Sequence, residues 1–162
     1  MAQQHLCSFL LISPAGANSQ SLGIGIEAVK ARDYKSIILL AAQGDADAQF
    51  NLAFMHEAGK SVTQNYAEAA AWYRKAAEKG YADAQKNFAI MYYTGSGFSQ
   101  NSIMAYILAI LAAAQGNESA VKVRDIILET LAREQIAEAQ NLAAEWSVGM
   151  SLPAIRDFKT GR

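Results

Sequence analysis

The stretch AEAAAWYRKAAEKGYADAQKNFAIMYYTGSG, residues 67–97, decides the fold, because its landmarks recur at a fixed distance along the chain. Gly44, Gly80 and Gly116 are each 36 residues apart. Aligned on these glycines, residues 44–79 and 80–115 agree at 14 of 36 positions: Gly44, Ala46, Asp47, Ala48, Gln49, Asn51, Ala53, Met55, Gly59, Gln64, Asn65, Ala69, Ala76 and Ala77. A constant period of this length is the mark of a stacked array, in which each unit buries its apolar face on its neighbours.

Within a unit the spacing predicts two antiparallel helices. The first runs over about 46–58 and stops at Gly59, a natural left-handed terminator. The second follows Asn65, a good N-cap, and ends near Lys79; Glu68 is placed to complete a capping box. Ala53 and Ala89 mark where helices approach closely. Trp72 and Tyr73 fall in an apolar stripe with Ala69, Ala76 and Ala77 and are expected in the core. Val62 and Phe98 share one loop position and are expected to plug the gap between helix pairs. Pro14 and Pro153 are the only prolines, so the strongest helix breaker is missing from everything between them. The fold class is all-α.

Composition narrows the function. The 162 residues are 52% hydrophobic and 18% charged, with a formal net charge of −1, as in a folded globular domain. That balance leaves no cation surplus for a phosphate-binding face, so nucleic acid is not an expected partner, and Lys30, Arg32 and Lys35 read as a solvated cluster. Cys7 is the sole cysteine, which rules out an intramolecular disulfide and any cysteine-based metal cluster. The apolar run Leu6–Ile12 followed by Ala15-Gly16-Ala17 has the order of a secretory signal, though no Lys or Arg precedes it. It is too short to span a bilayer. Periplasmic or secreted location is the expectation, with a cytoplasmic location as the alternative.

No catalytic constellation emerges. His56 would be the only histidine of a processed chain and has no second ligand or nucleophile in its pattern. Asp45 and Asp47 sit in a first helical turn, where the helix dipole favours acids anyway. Gly95-Ser96-Gly97 joins helices and lacks the strand and lysine of a phosphate cradle. Neither a metal nor a cofactor is expected.

The motifs A-x-x-W-Y-x-x-A-A, G-x-A-x-A-Q and Y-x-x-G-x-G, as they stand in residues 67–97, resemble the Sel-1-like repeat, a relative of the tetratricopeptide repeat. The resemblance covers roughly 25–146, with Asp33-Tyr34 similar to the helix opening before the first full repeat and Glu134–Trp146 to the closing helix of exported proteobacterial members. It implies a right-handed α/α solenoid. The domains then read as 1–20, a signal peptide or disordered N-terminus; 21–43, a degenerate first helix pair; 44–79 and 80–115, two full repeats; 116–147, a degenerate third repeat with the closing helix; and 148–162, a tail. Departures are the short spacing from Tyr34 to Gly44, about one turn less than in similar proteins, Ala132-Arg133 in place of a Thr-Pro opening, and His56 where tyrosine is usual.

By the same analogy the first helices line the concave side. Asp47, Phe50, Phe54 and Glu57, then Asp83, Lys86, Ile90 and Tyr93, then Ser119, Lys122 and Ile126, would face the groove. Apolar residues at 50, 54, 90 and 93 point to a binding strip for a protein or peptide, unless the chain's own ends cover it. The resemblance implies a non-enzymatic adaptor or scaffold. Similar proteins also serve as regulatory subunits of envelope signalling or polysaccharide systems. A β-lactam-binding hydrolase is a weaker reading, since its relatives rely on paired cysteines.

Overall fold

The computed structural model describes residues 34–152. Among the described residues seven helices follow one another: α1 (Tyr34–Ala42), α2 (Ala46–Ala58), α3 (Tyr66–Glu78), α4 (Ala82–Thr94), α5 (Ser102–Ala114), α6 (Glu118–Leu128) and α7 (Arg133–Glu145). Among the described residues there is no strand. The signal-like segment 1–20, Cys7, Lys30, Arg32, both prolines and most of the expected first helix pair lie outside the described residues. No helix among those described is long and apolar enough to cross a membrane.

The helix ends follow from local chemistry. Gly59 and Gly95 take left-handed φ values of 66° and 74°, and their N–H groups bond the Met55 and Met91 carbonyls. Asp45, Asn65, Asn101 and Asn117 each accept a hydrogen bond from the backbone N–H three residues on, at 2.7–3.1 Å. The expected capping box at Asn65 is only half formed. The Asn65 N–H donates to the His56 carbonyl at 2.9 Å, leaving Glu68 no donor to reach back to; Asn101 does the same with Tyr92 at 2.8 Å. This bond closes each hairpin.

Consecutive helices pack on one another from α1 to α6. Ala53, Ala69, Ala76, Ala77, Ala84 and Ala89 are fully buried and set the close helix approaches, with Tyr73 among them. Trp72 is only half-buried, and the Lys75 ammonium sits 3.8 Å from its ring centroid. Gln49 and Gln85, 36 apart, are buried polar groups. Each donates its amide to a carbonyl eight residues back, Ala41 at 3.0 Å and Ala77 at 3.1 Å. Those carbonyls belong to the last turn of the preceding helix, where each also accepts a glycine N–H, Gly44 at 3.1 Å and Gly80 at 2.9 Å. The recurring glutamine therefore bonds each unit to the helix before it.

The array changes at its C-terminal end. Positions filled by Leu52 and Ala53, then Phe88 and Ala89, become Arg124 and Asp125, whose side chains pair at 2.7 Å. The apolar face that would receive another unit is thus replaced by an ion pair. α7 packs on α5 and makes no comparable contact with α6. Beyond it the Gly149 N–H donates to the Glu78 carbonyl (2.8 Å) and the Leu152 N–H to Glu78 Oε1 (3.1 Å), with Leu152 buried. The tail so reaches the C-terminal end of α3. At the other end α1 has nine residues, against thirteen in each of α2 to α5.

Candidate functional site

Three large apolar side chains at one repeat position remain outside the core. Phe54 on α2, Ile90 on α4 and Ile126 on α6 are 36 residues apart and 40%, 38% and 56% exposed. Burial drives the rest of the pattern, so repetition of exposed apolar groups at equivalent places separates them from scattered surface hydrophobics. Phe54 and Ile90 share a hollow of about 530 Å³ with Glu57, Tyr66, Asn87 and Thr94. The Lys60 ammonium stands 5.1 Å from the Phe54 ring centroid.

Two of the hollow's lining residues, Glu57 and Asn87, are joined by a hydrogen-bonded chain across three helices. The Tyr73 hydroxyl donates to Glu57 Oε2 at 2.6 Å and accepts from Asn87 Nδ2 at 3.0 Å. Burial, then the bond to Glu57, push the Tyr73 phenol far above its ordinary value. The neutral hydroxyl is thereby fixed as the joint between α2, α3 and α4.

The remaining predicted residues divide. Phe50 does not line this hollow: its ring packs between Tyr73 (5.7 Å) and Tyr81 (5.3 Å), half-buried. Its place in the repeat is taken by Lys86 and Lys122 in the next two units, so the apolar strip is not continuous there. Tyr93 is likewise half-buried against the core and absent from the lining. Asp47 is half-buried, and its carboxylate faces the Tyr81 phenol, which burial raises first and this carboxylate further. Asp83 ties units together, taking a bond from Asn117 Nδ2 at 2.9 Å while Lys86 pairs with it at 3.6 Å. Ser119 and Lys122 are exposed.

Tyr66, Asn87 and Thr94 line the hollow without being among the residues that the repeat analogy points to. Asn87 repeats Asn51, a signal present in the sequence, whereas Tyr66 enters through the loop geometry: a side chain at Gly97 would meet Tyr66 backbone atoms at 2.8–2.9 Å. His56 is half-buried in the last turn of α2, and none of the described residues partners its Nδ1. The described residues hold no group of three or more His, Cys, Asp or Glu placed to bind a metal ion. The described part of the tail, as far as Leu152, runs to Glu78 and Gly80 and not to the hollow.

Paired helices, a recurring polar tie and an apolar ladder on the first helices define a helical-repeat protein. The Sel1 repeat model matches residues 46–81 and 82–117, so the chain carries two Sel1 repeats in tandem. A protective antigen of uropathogenic Escherichia coli strains, displaying an SLR fold, is similar over 91% of this chain and 35% of its own, at 25% identity and a TM-score of 0.74. A Sel1 repeat protein from Oxalobacter formigenes is 34% identical, with a TM-score of 0.57, over 64% of this chain and 44% of its own. The chain therefore spans less than half the length of either. No curated protein matches it significantly. Sel1 repeats generally act as protein-interaction modules and are typically non-catalytic scaffolds.

Proposed function

We propose that this chain is a non-enzymatic interaction module that holds a segment of a partner protein on the face carried by α2, α4 and α6. The observation behind this reading is the exposed ladder Phe54, Ile90 and Ile126 at a single repeat position. Nothing in helix stacking requires an apolar residue there, and each one left in water forgoes stabilisation on the order of 25 cal/mol per Å². A partner segment that covers all three recovers it. The helices beneath are tied by Tyr73 and Asn117, so the anchors are held in place before binding and little ordering cost accrues.

Hydrogen bonds and charges around the ladder set the orientation. Glu57 and Asn87 lie at the Phe54–Ile90 hollow, and Lys86 and Lys122 lie four residues before Ile90 and Ile126 on α4 and α6. A segment with an acidic residue toward α6 is favoured over its reverse. We place the module in the periplasm or outside the cell, a reading supported by the signal-like order of residues 6–17 and tested by N-terminal sequencing of the protein made in its native host.

The test of the binding face is selection of peptides from a random library on the full chain. Selected peptides are then measured against Phe54→Ala/Ile90→Ala/Ile126→Ala. The expected result is at least about a tenfold loss of affinity, or ~1.4 kcal/mol, with helicity and melting near those of the native chain. Peptides that bind the triple variant as tightly as the native chain overturn the reading.

A further inference from the structure

A second hollow, sharing no lining residue with the first, lies at the seam between α3 and α4. It has a volume of about 480 Å³ and is lined by Ala70, Ala71, Arg74, Phe88, Tyr92, Phe98 and Ser99. Its aromatic wall is continuous: Tyr92 and Phe98 have ring centroids 4.4 Å apart, and Phe88 lies 4.7 Å from Tyr92 and 5.9 Å from Phe98. The repeat explains why space is left. The position of Ala70 is Tyr34 one unit earlier and Tyr106 one unit later. Tyr106 is buried, and Tyr34 packs on the cluster that contains Leu52, the equivalent of Phe88. At the middle seam alone the tyrosine ring is missing.

A second change accompanies the first. Position 74 is an arginine, whereas its equivalents are Ile38 and Ile110. Losing an aromatic ring and gaining a guanidinium at the same seam turns a plugged joint into an apolar slot with a cation at its edge. Arg74 Nε donates to Glu78 Oε1 at 3.0 Å. Among the described residues the two Nη groups have no partner, so one edge of the guanidinium can bind a carboxylate with two parallel bonds. Burial pushes the Tyr92 phenol up, and the Arg74 charge acts in the opposite direction, which puts these two groups within electrostatic reach.

We propose that this slot binds a small aromatic carboxylate, its ring in the place that tyrosine fills at the neighbouring seams and its carboxylate on Arg74. The ring would meet Phe88, Tyr92 and Phe98 at the offset and edge geometries aromatic groups prefer. A neutral ring fits the apolar part but forgoes the ion pair.

Amide chemical shifts of the full chain, followed during titration with 4-hydroxyphenylacetate and separately with neutral 4-ethylphenol, test this. Saturable shifts centred on Ala70, Tyr92 and Phe98 are expected for both probes, with the carboxylate binding tighter. Arg74→Ile installs the residue of the other units. It should weaken 4-hydroxyphenylacetate about tenfold and leave 4-ethylphenol within about twofold. Ala70→Tyr, which restores the ring, should abolish both. Absence of saturable shifts, as when another part of the chain fills the slot, overturns the proposal. So does binding that survives Ala70→Tyr, or an equal loss of both probes in Arg74→Ile.

Discussion

The two full repeats share a backbone plan but treat the same polar position differently. In the second, Gln85 is fully satisfied: its amide donates to the Ala77 carbonyl and its Oε1 accepts from Gln115 at 2.7 Å. In the first, Gln49 makes the equivalent donation to Ala41, but no described donor reaches its buried Oε1. The residue equivalent to Gln115 is Lys79, which donates to the Gly44 carbonyl instead. One helix-to-helix tie is therefore complete and the other half made. The repeat motif sets which side chain is buried, while a residue outside the motif decides how well it is satisfied.

Replacing each glutamine by leucine separates the two. Gln85→Leu removes two hydrogen bonds, leaving the Ala77 carbonyl only the Gly80 N–H and the Gln115 amide only the Leu111 carbonyl, and it should cost about 2 kcal/mol by chemical denaturation. Gln49→Leu also removes an unsatisfied acceptor and should cost only about 1 kcal/mol. Equal losses would dissolve the distinction between the repeats.

The hairpin loops differ in the same way. Gly97 has φ 87° and stands so close to Tyr66 that an added Cβ would lie within 3 Å of its backbone; Gly97→Ala should cost about 2 kcal/mol. The first repeat has Ser61 at the equivalent place, the one non-glycine among the described residues with positive φ, at 64°. Ser61→Gly relieves that backbone and should raise stability by about 0.5–1 kcal/mol. A loss in Ser61→Gly would show that the serine side chain contributes more than its strained backbone costs.

Alkali probes the joint between the repeats. The Tyr73 phenol is fully buried between Glu57 and Asn87, and burial raises it well beyond the ordinary value near 10. Above pH 10 the unfolded chain releases this proton and the folded chain keeps it, so unfolding is favoured as pH rises. Stability should be flat below about pH 10 and then fall by up to roughly 1.4 kcal/mol per pH unit from this group. Tyr73→Phe should be less stable at neutral pH, with the polar groups of Glu57 and Asn87 left over, and show a shallower alkaline decline.

Much of this was legible in the residues and some was not. Recurrence at 36 marked the helix pairs and the buried alanines at 53 and 89, because stacking demands the same side-chain size at the same place, while the outward places at 54, 90 and 126 came from the family resemblance. Phe50 and Tyr93 lie half-buried and outside the hollow. Helical spacing assigns a face but not the ring contacts across a seam, and Phe50 turns inward because Tyr73 and Tyr81 offer it two aromatic faces. The capping box at Asn65 failed because the N–H that Glu68 needed is spent on His56, nine residues back. The packing of α7 on α5 rather than on α6 depends on contacts between units, which a local pattern does not encode.

The smallest effect is the most direct test of the repeat comparison. Lys79→Gln places in the first unit the residue that satisfies Gln85 in the second. In the second unit that glutamine donates both to Gln85 Oε1 and to the Leu111 carbonyl four residues back. The substitution gives up an exposed bond from Lys79 to Gly44, which solvent already weakens, and supplies a donor to a buried acceptor. A net gain of about 0.5 kcal/mol is expected, small because one bond replaces another. The sharper reading is the coupling: in the Lys79→Gln background, Gln49→Leu should become as costly as Gln85→Leu, since it would then remove two bonds instead of one. Unchanged cost there would mean that the environment of Gln49, and not residue 79, makes the first tie the weaker one.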